Sequence, residues 1–206
     1  MKLLHIDSSI MGDNSVSRGL GQQAVEQLKS AAPGLEVTYY DLAANPVPHL
    51  GSDLFAAQGL AADQRTSEQQ ANVALSEKIM ADFLAADVLV IGAPMYNFGL
   101  PSQLKSWIDR IAVAGKTFKY TANGPQGLAG GKRAIIISSR GSFFKDAPMQ
   151  ATEHQESHLK TVLGFLGITD VTVVRAEGVA TSPDNRNAAL EIARTTIATL
   201  NPRRAA

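Results

Sequence analysis

The sequence predicts an α/β protein: a five-stranded, doubly wound parallel sheet with helices on both faces. Short apolar runs alternate along the chain with longer segments of helical periodicity, which is the pattern of repeated strand–helix–strand units. The central runs, Asp87–Ala93 (DVLVIGA) and Lys132–Ser138 (KRAIIIS), are apolar on both alternating faces, as strands covered on both sides must be. No repeat, low-complexity stretch or linker interrupts the 206 residues, so residues 1–206 are read as one domain.

Lys2–Asp7 is a strand that ends in the polar pair Ser8-Ser9. Ser17–Ala31 carries Leu20, Ala24 and Leu28 at helical spacing, with Ser15 or Ser17 as N-cap and Pro33-Gly34 as its stop. Leu35–Asp41 is a second strand, rich in Val and Tyr. A Pro-containing loop and a short helix over Ser52–Gly59 follow. Thr66–Ala86 is a long helix, opened by the capping pair Thr66 and Gln69. After the Asp87–Ala93 strand, Pro101 opens a helix to Ala112. Thr117–Leu128, with Asn123-Gly124-Pro125, is an excursion that suits a hairpin. The Lys132–Ser138 strand leads to a helix over Ala151–Phe165, a strand over Val171–Ala176 and a closing helix over Pro183–Leu200. Right-handed crossovers restrict the topology, and five strands suit the flavodoxin-like order better than two dinucleotide-binding halves.

Composition narrows the function classes. Nineteen basic residues balance nineteen acidic ones, so nothing favours nucleic acid or an anionic membrane. With no cysteine there is no disulfide, thiolate nucleophile or Cys metal site. The start MKLLHIDSSI is too short and too polar for a secretion signal, and no apolar run approaches a membrane span. The chain reads as cytoplasmic.

Ligands of open parallel sheets bind beyond the carboxyl ends of the strands, which directs attention to three loops. The first, Ser8 to Ser17, holds four serines and runs into a helix N-terminus, where free N–H groups favour an anion. It has neither G-x-G-x-x-G nor G-K-[ST], so a single terminal phosphate suits it better than a pyrophosphate or a triphosphate with magnesium; helix capping alone would explain one serine. The second, Ala93 to Pro101, places Met95, Tyr96, Asn97 and Phe98 between two prolines, a segment suited to a flat ring with polar edges or to core packing, with Gly99 supplying unusual backbone angles. The third, Ser138 to Phe144, offers Ser139, Arg140, Gly141 and Ser142 either to a ligand's developing negative charge or as a surface turn with a solvated arginine. Phe118 and Tyr120 in the excursion, and Phe143, are candidate substrate contacts. His154 and His158 are one turn apart but lack the H-E-x-x-H pattern and a third ligand; a solvated helix face is the stronger reading and no metal is expected. His5 reads as structural and Trp107 as core or interface.

Taken together, Asp7-Ser8-Ser9, Ser15-Val16-Ser17, Ala93 to Phe98, Gln103-Leu104-Lys105, Thr117 to Thr121, Asn123-Gly124-Pro125, Ser139-Arg140-Gly141, Phe165 to Ile168 and Ala176-Glu177-Gly178 resemble the FMN-dependent NADH-azoreductases, also described as quinone reductases. The match runs along nearly the whole chain in order. The resemblance implies non-covalent FMN, with Ser9, Ser15, Val16 and Ser17 on its phosphate, Met95, Tyr96, Asn97 and Phe98 along its ring, and Ser139, Arg140, Gly141 and Ser142 at the pyrimidine edge. It also implies NADH or NADPH as hydride donor, quinones or azo compounds as acceptors in a two-electron ping-pong cycle, and a homodimer. No catalytic side chain is then required, since the flavin carries the chemistry. Ser142 and Gly99-Leu100-Pro101 depart from the commoner family pattern. The alternative is a flavodoxin-type single-electron carrier for protein partners, against which the zero net charge speaks.

Overall fold

The computed structural model describes residues 1–202; residues 203–206 of the one-domain expectation lie outside the described residues. Five strands, β1 (Lys2–Asp7), β2 (Glu36–Asp41), β3 (Val88–Pro94), β6 (Arg133–Ser139) and β7 (Asp170–Ala176), form one parallel sheet in the order β2-β1-β3-β6-β7. The short strands β4 (Phe118–Thr121) and β5 (Gly124–Gly127) form a separate antiparallel hairpin, as the Asn-Gly-Pro turn predicts. The helices are α1 (Val16–Ala31), α2 (Ser52–Gly59), α3 (Ser67–Ala85), α4 (Ser102–Ile111), α5 (Glu156–Phe165) and α6 (Pro183–Ala198).

The pleat sends alternate residues of the central strands into two cores. Leu4, Ile6, Leu89, Ile91, Ala134 and Ile136 meet Ile79, Phe83, Leu104, Trp107 and Leu159 on the α3–α4–α5 side. Leu3, Val88, Val90, Ile135, Ile137 and Val174 meet Leu20, Ala24, Leu28, Ala193 and Ile197 of α1 and α6 on the other. Trp107 is core, edge-on to Phe83.

The capping box at Thr66 and Gln69 forms in both directions. Ser15, rather than Ser17, caps α1, its Oγ accepting from the Arg18 N–H at 3.2 Å. Pro101 caps α4 from outside, one residue before its first turn. The largest boundary error concerns α5, which starts at Glu156 and not at Ala151. Met149–Thr152 forms a separate 3₁₀ turn, the extended backbone of Glu153 separates it from α5, and Gln155, the N-cap of α5, turns its side chain into the sheet.

Candidate flavin site at the carboxyl edge

The first loop leaves β1 at Ser8, whose hydroxyl donates to the Gly92 carbonyl at 2.6 Å and so belongs to the sheet. Gly92 is required beneath it, because a Cβ there would stand 2.8 Å from Asp7 Oδ1 and 3.2 Å from the Ile6 carbonyl. Ser9, Ser15 and Ser17 are the remaining buried hydroxyls of the segment. Ser15 and Ser17 touch at 3.1 Å across the mouth of α1. The N–H groups of Val16 and Ser17, in the first turn of the helix, have no acceptor among the described residues. Hydroxyls and free amides thus converge where the helix dipole is positive.

A polar cluster centred on the buried Asp7 and His5 supports this loop. Asp7 accepts from the Tyr39 phenol at 2.8 Å, with Arg18 Nε at 3.8 Å and His5 Nε2 at 3.5 Å. Arg18 also reaches Asp41 at 2.7 Å and Tyr39 Oη at 3.0 Å. Burial, and then the hydrogen bond to Asp7, push the Tyr39 phenol far above its ordinary pKa. Burial opposes the charge on Asp41, but the Ala44 N–H and Arg18 outweigh it and hold the carboxyl below its ordinary value. The Arg18 charge is therefore held between two aspartates. His5 is structural, as expected: its ring lies against Asp7 and Tyr39, and Gly21 makes room for it.

The second loop is a tight turn in which Tyr96 and Gly99 exchange backbone hydrogen bonds at 3.1 and 3.0 Å. Its central residues Asn97 (φ 48°) and Phe98 (φ 70°) are both left-handed, so the unusual angles fall on them and not on Gly99. Asn tolerates this conformation; for Phe98 it costs of order 1–3 kcal/mol and signals a backbone set for a purpose. The Asn97 and Phe98 N–H groups have no acceptor among the described residues. The Tyr96 phenol joins the first loop, 3.3 Å from Ser9 Oγ and accepting from the Ile10 N–H at 3.2 Å. The Met95 N–H joins the third, donating to Ser139 O at 2.8 Å.

In the third loop the structure overturns the solvated-arginine reading and equally the reading of a ligand-facing charge. Arg140 is buried, and its guanidinium meets Glu156 and Glu177 at 2.7 Å and Glu153 at 3.3 Å. Glu153 and Glu156 are accordingly not part of a solvated helix face. Arg175 pairs with Glu156 through two bonds of 2.8 and 2.6 Å. Burial opposes the Glu156 charge, but Arg175 and Arg140 outweigh it and keep the carboxyl below its ordinary pKa. Gln155 ties the assembly to the sheet, accepting from Ser138 Oγ and Arg140 Nε while its amide donates to the Ala93 carbonyl. What faces outward is backbone: the amides of Gly141 and Ser142, both exposed, have no acceptor among the described residues.

The candidate substrate residues separate. Phe118 is core, 4.5 Å from Phe165. Tyr120 is 75% exposed, edge-on to Phe118. Phe143 is half-exposed and folds over Gly178, where a Cβ would collide with its ring at 2.3 Å. It borders a cleft shared with Asn185 and Ile192 of α6. Among the described residues no group of three His, Asp or Glu is placed to hold a metal. The reading from residues missed Gln155, Glu156, Asp7 and Tyr39, whose importance lies in contacts up to 62 residues apart along the chain.

The donor set fits FMN. Buried hydroxyls and two free amides at the head of α1 suit a phosphomonoester without a cation, and free amides on the Tyr96 and Arg140 loops suit the polar edge of a flat ring. The arrangement defines a flavodoxin-like protein, and a family model described as "Flavodoxin-like fold" matches residues 1–200. The FMN-dependent NADH:quinone oxidoreductase 2 of Bradyrhizobium diazoefficiens is 55% identical, covering 92% of this chain and 94% of its own. The FMN-dependent NADH:quinone oxidoreductase of Rhizobium meliloti is 51% identical over 96% of each. A crystal structure of azoreductase AzrA superposes with TM-score 0.85 at 30% identity, over 97% of this chain and 100% of that one. An FMN-dependent NADH-azoreductase from Bacillus anthracis, solved with FMN, gives TM-score 0.84 at 29% identity, over 95% of this chain and 97% of that one. The chain belongs to this family of flavodoxin-like, FMN-dependent NADH:quinone oxidoreductases.

Proposed function

We infer that this chain is an enzyme that uses FMN to transfer hydride from NADH or NADPH to quinones and azo compounds. The observation that carries the reading is the head of α1, where the Val16 and Ser17 amides lack acceptors beside the buried Ser15 and Ser17 hydroxyls. Relatives of about half identity named as FMN-dependent NADH:quinone oxidoreductases support it. Bound FMN supplies the two-electron chemistry.

The residues divide the work of holding it. Ser9, Ser15, Ser17 and the Val16 amide grip the phosphate. The Met95–Phe98 backbone lies along the ring, its turn pinned by the Tyr96 phenol. The amides of Gly141 and Ser142, held out by the buried Arg140, meet the pyrimidine edge. Phe143 and Tyr120 are the exposed rings available to a planar acceptor, and Phe118 fixes the hairpin that carries Tyr120. No titratable side chain is needed as acid or base. Residues 1–206 act as one domain in a cytoplasmic homodimer, and no helix among the described residues is long and apolar enough to cross a membrane. The balanced charge disfavours a single-electron carrier steered to protein partners.

Anaerobic addition of NADH to the FMN-loaded protein should bleach the flavin spectrum, and a quinone or azo dye should restore it. A flavin that NADH leaves oxidised would refute the reading. Sedimentation at micromolar concentration should give twice the chain mass.

A further inference from the structure

Between α3 and α4 the protein buries an arginine that pairs with no acid among the described residues. Arg110 is 2% exposed. Its Nη1 donates to Asn72 Oδ1 at 2.8 Å and Ser76 Oγ at 2.6 Å, and its Nη2 to the Pro48 carbonyl at 2.8 Å. All three acceptors are neutral. Among the described residues no carboxylate lies within ion-pair distance, and the adjacent Asp109 is paired with Lys105 instead. A guanidinium has five donors in a planar fork, and here Nε–H, itself buried, has no acceptor among the described residues. Burial accordingly lowers the Arg110 pKa. The contrast is internal: Arg140, the other buried arginine among the described residues, lies between carboxylates, and so does the partly buried Arg18.

A cleft of about 270 Å³ reaches Arg110, and Arg65, Lys116, Ser76 and Glu77 also line it. Three cations therefore face it against one carboxylate, leaving two positive charges in excess. Arg65 is fixed there by bonds to the Ala57 and Leu60 carbonyls at 2.8 Å, which use its Nε and Nη2, while Nη1 has no acceptor among the described residues. Lys116 is exposed at the rim.

We propose that this cleft binds a small oxyanion of the size of inorganic phosphate. Arg110 is the inner ligand, offering the side of its fork that the protein leaves unused, and Arg65 and Lys116 close over the outer oxygens. A planar guanidinium edge meets two oxygens of one anion at once, which chloride cannot match. The site is separate from the head of α1, because it is built on other elements, and it can be occupied while FMN is bound.

The test is calorimetric titration of the FMN-saturated protein with inorganic phosphate, ionic strength held constant with chloride. The wild type should show one saturable site per chain and a melting temperature that rises with phosphate and levels off. Lys116→Glu, an exposed change, should keep the unliganded melting temperature and weaken phosphate at least ten-fold. Arg110→Met should abolish the binding; if that variant does not fold, Lys116→Glu decides. Absence of saturable binding in the wild type, or unchanged affinity in Lys116→Glu, overturns the proposal.

Discussion

The loops after β1 and β6 flank the Tyr96 turn on either side, and they present polar groups to the same space by opposite means. The first adds side chains, the hydroxyls of Ser9, Ser15 and Ser17, to the free Val16 and Ser17 amides, over an arginine held by Asp7, Asp41 and Tyr39. The third offers only backbone, the Gly141 and Ser142 amides, over an arginine held by three glutamates. In both, the full charge is turned inward and neutralised, and neutral donors are turned outward. A buried ion network gives rigidity while its removal in part is costly, so the third loop should be the more fragile and the first the more selective for phosphate.

That difference can be attacked directly, beginning where the largest effect is expected. Glu156→Ala leaves Arg140 and Arg175 facing each other without their shared carboxylate, and should cost about 3–5 kcal/mol in urea denaturation. A loss under about 1 kcal/mol would show that the network contributes little. Ser17→Ala should weaken FMN binding by about ten- to a hundred-fold, from loss of one hydrogen bond to a charged group worth roughly 1.5–3 kcal/mol, with a much smaller effect on melting.

How much of this was legible beforehand follows from the range of the interactions. The strand order, the Thr66 cap and the hairpin were readable because hydrophobic period, capping pairs and Asn-Gly turns are local. The three loops were also placed correctly, since each continues an apolar strand. Local reading failed where a distant partner decides the outcome. Arg140 looks solvated until Glu156 and Glu177 are brought to it, and α5 looks five residues longer until the extended backbone at Glu153 interrupts the run. The strained turn was assigned to Gly99 because glycine is the usual left-handed residue; of the actual positions, Asn97 carries a weaker signal of that kind and Phe98 none.

Two smaller effects sharpen the comparison. Tyr96→Phe removes the phenol that joins the first and second loops, and should cost about 0.5–1.5 kcal/mol while weakening FMN a few-fold, measured by denaturation and fluorescence titration. The acid limb separates the two foundations further. The Glu156 pKa is lowered by folding, so its contribution is complete above the ordinary carboxylate value of about 4.3 and is lost as the pH falls through the folded value. The stability gap between wild type and Glu156→Gln should therefore narrow below about pH 4.3; a gap constant down to pH 2 would contradict the ionised network.

The claim that neutral donors at the head of α1 grip a phosphomonoester is tested most directly by comparing FMN with riboflavin, which differ only in that group. Fluorescence titration of the apoprotein should give FMN a dissociation constant at least about a hundred-fold lower, as two or more hydrogen bonds to a charged group require, and Ser17→Ala should shrink the ratio. Equal affinity for the two flavins would contradict the account.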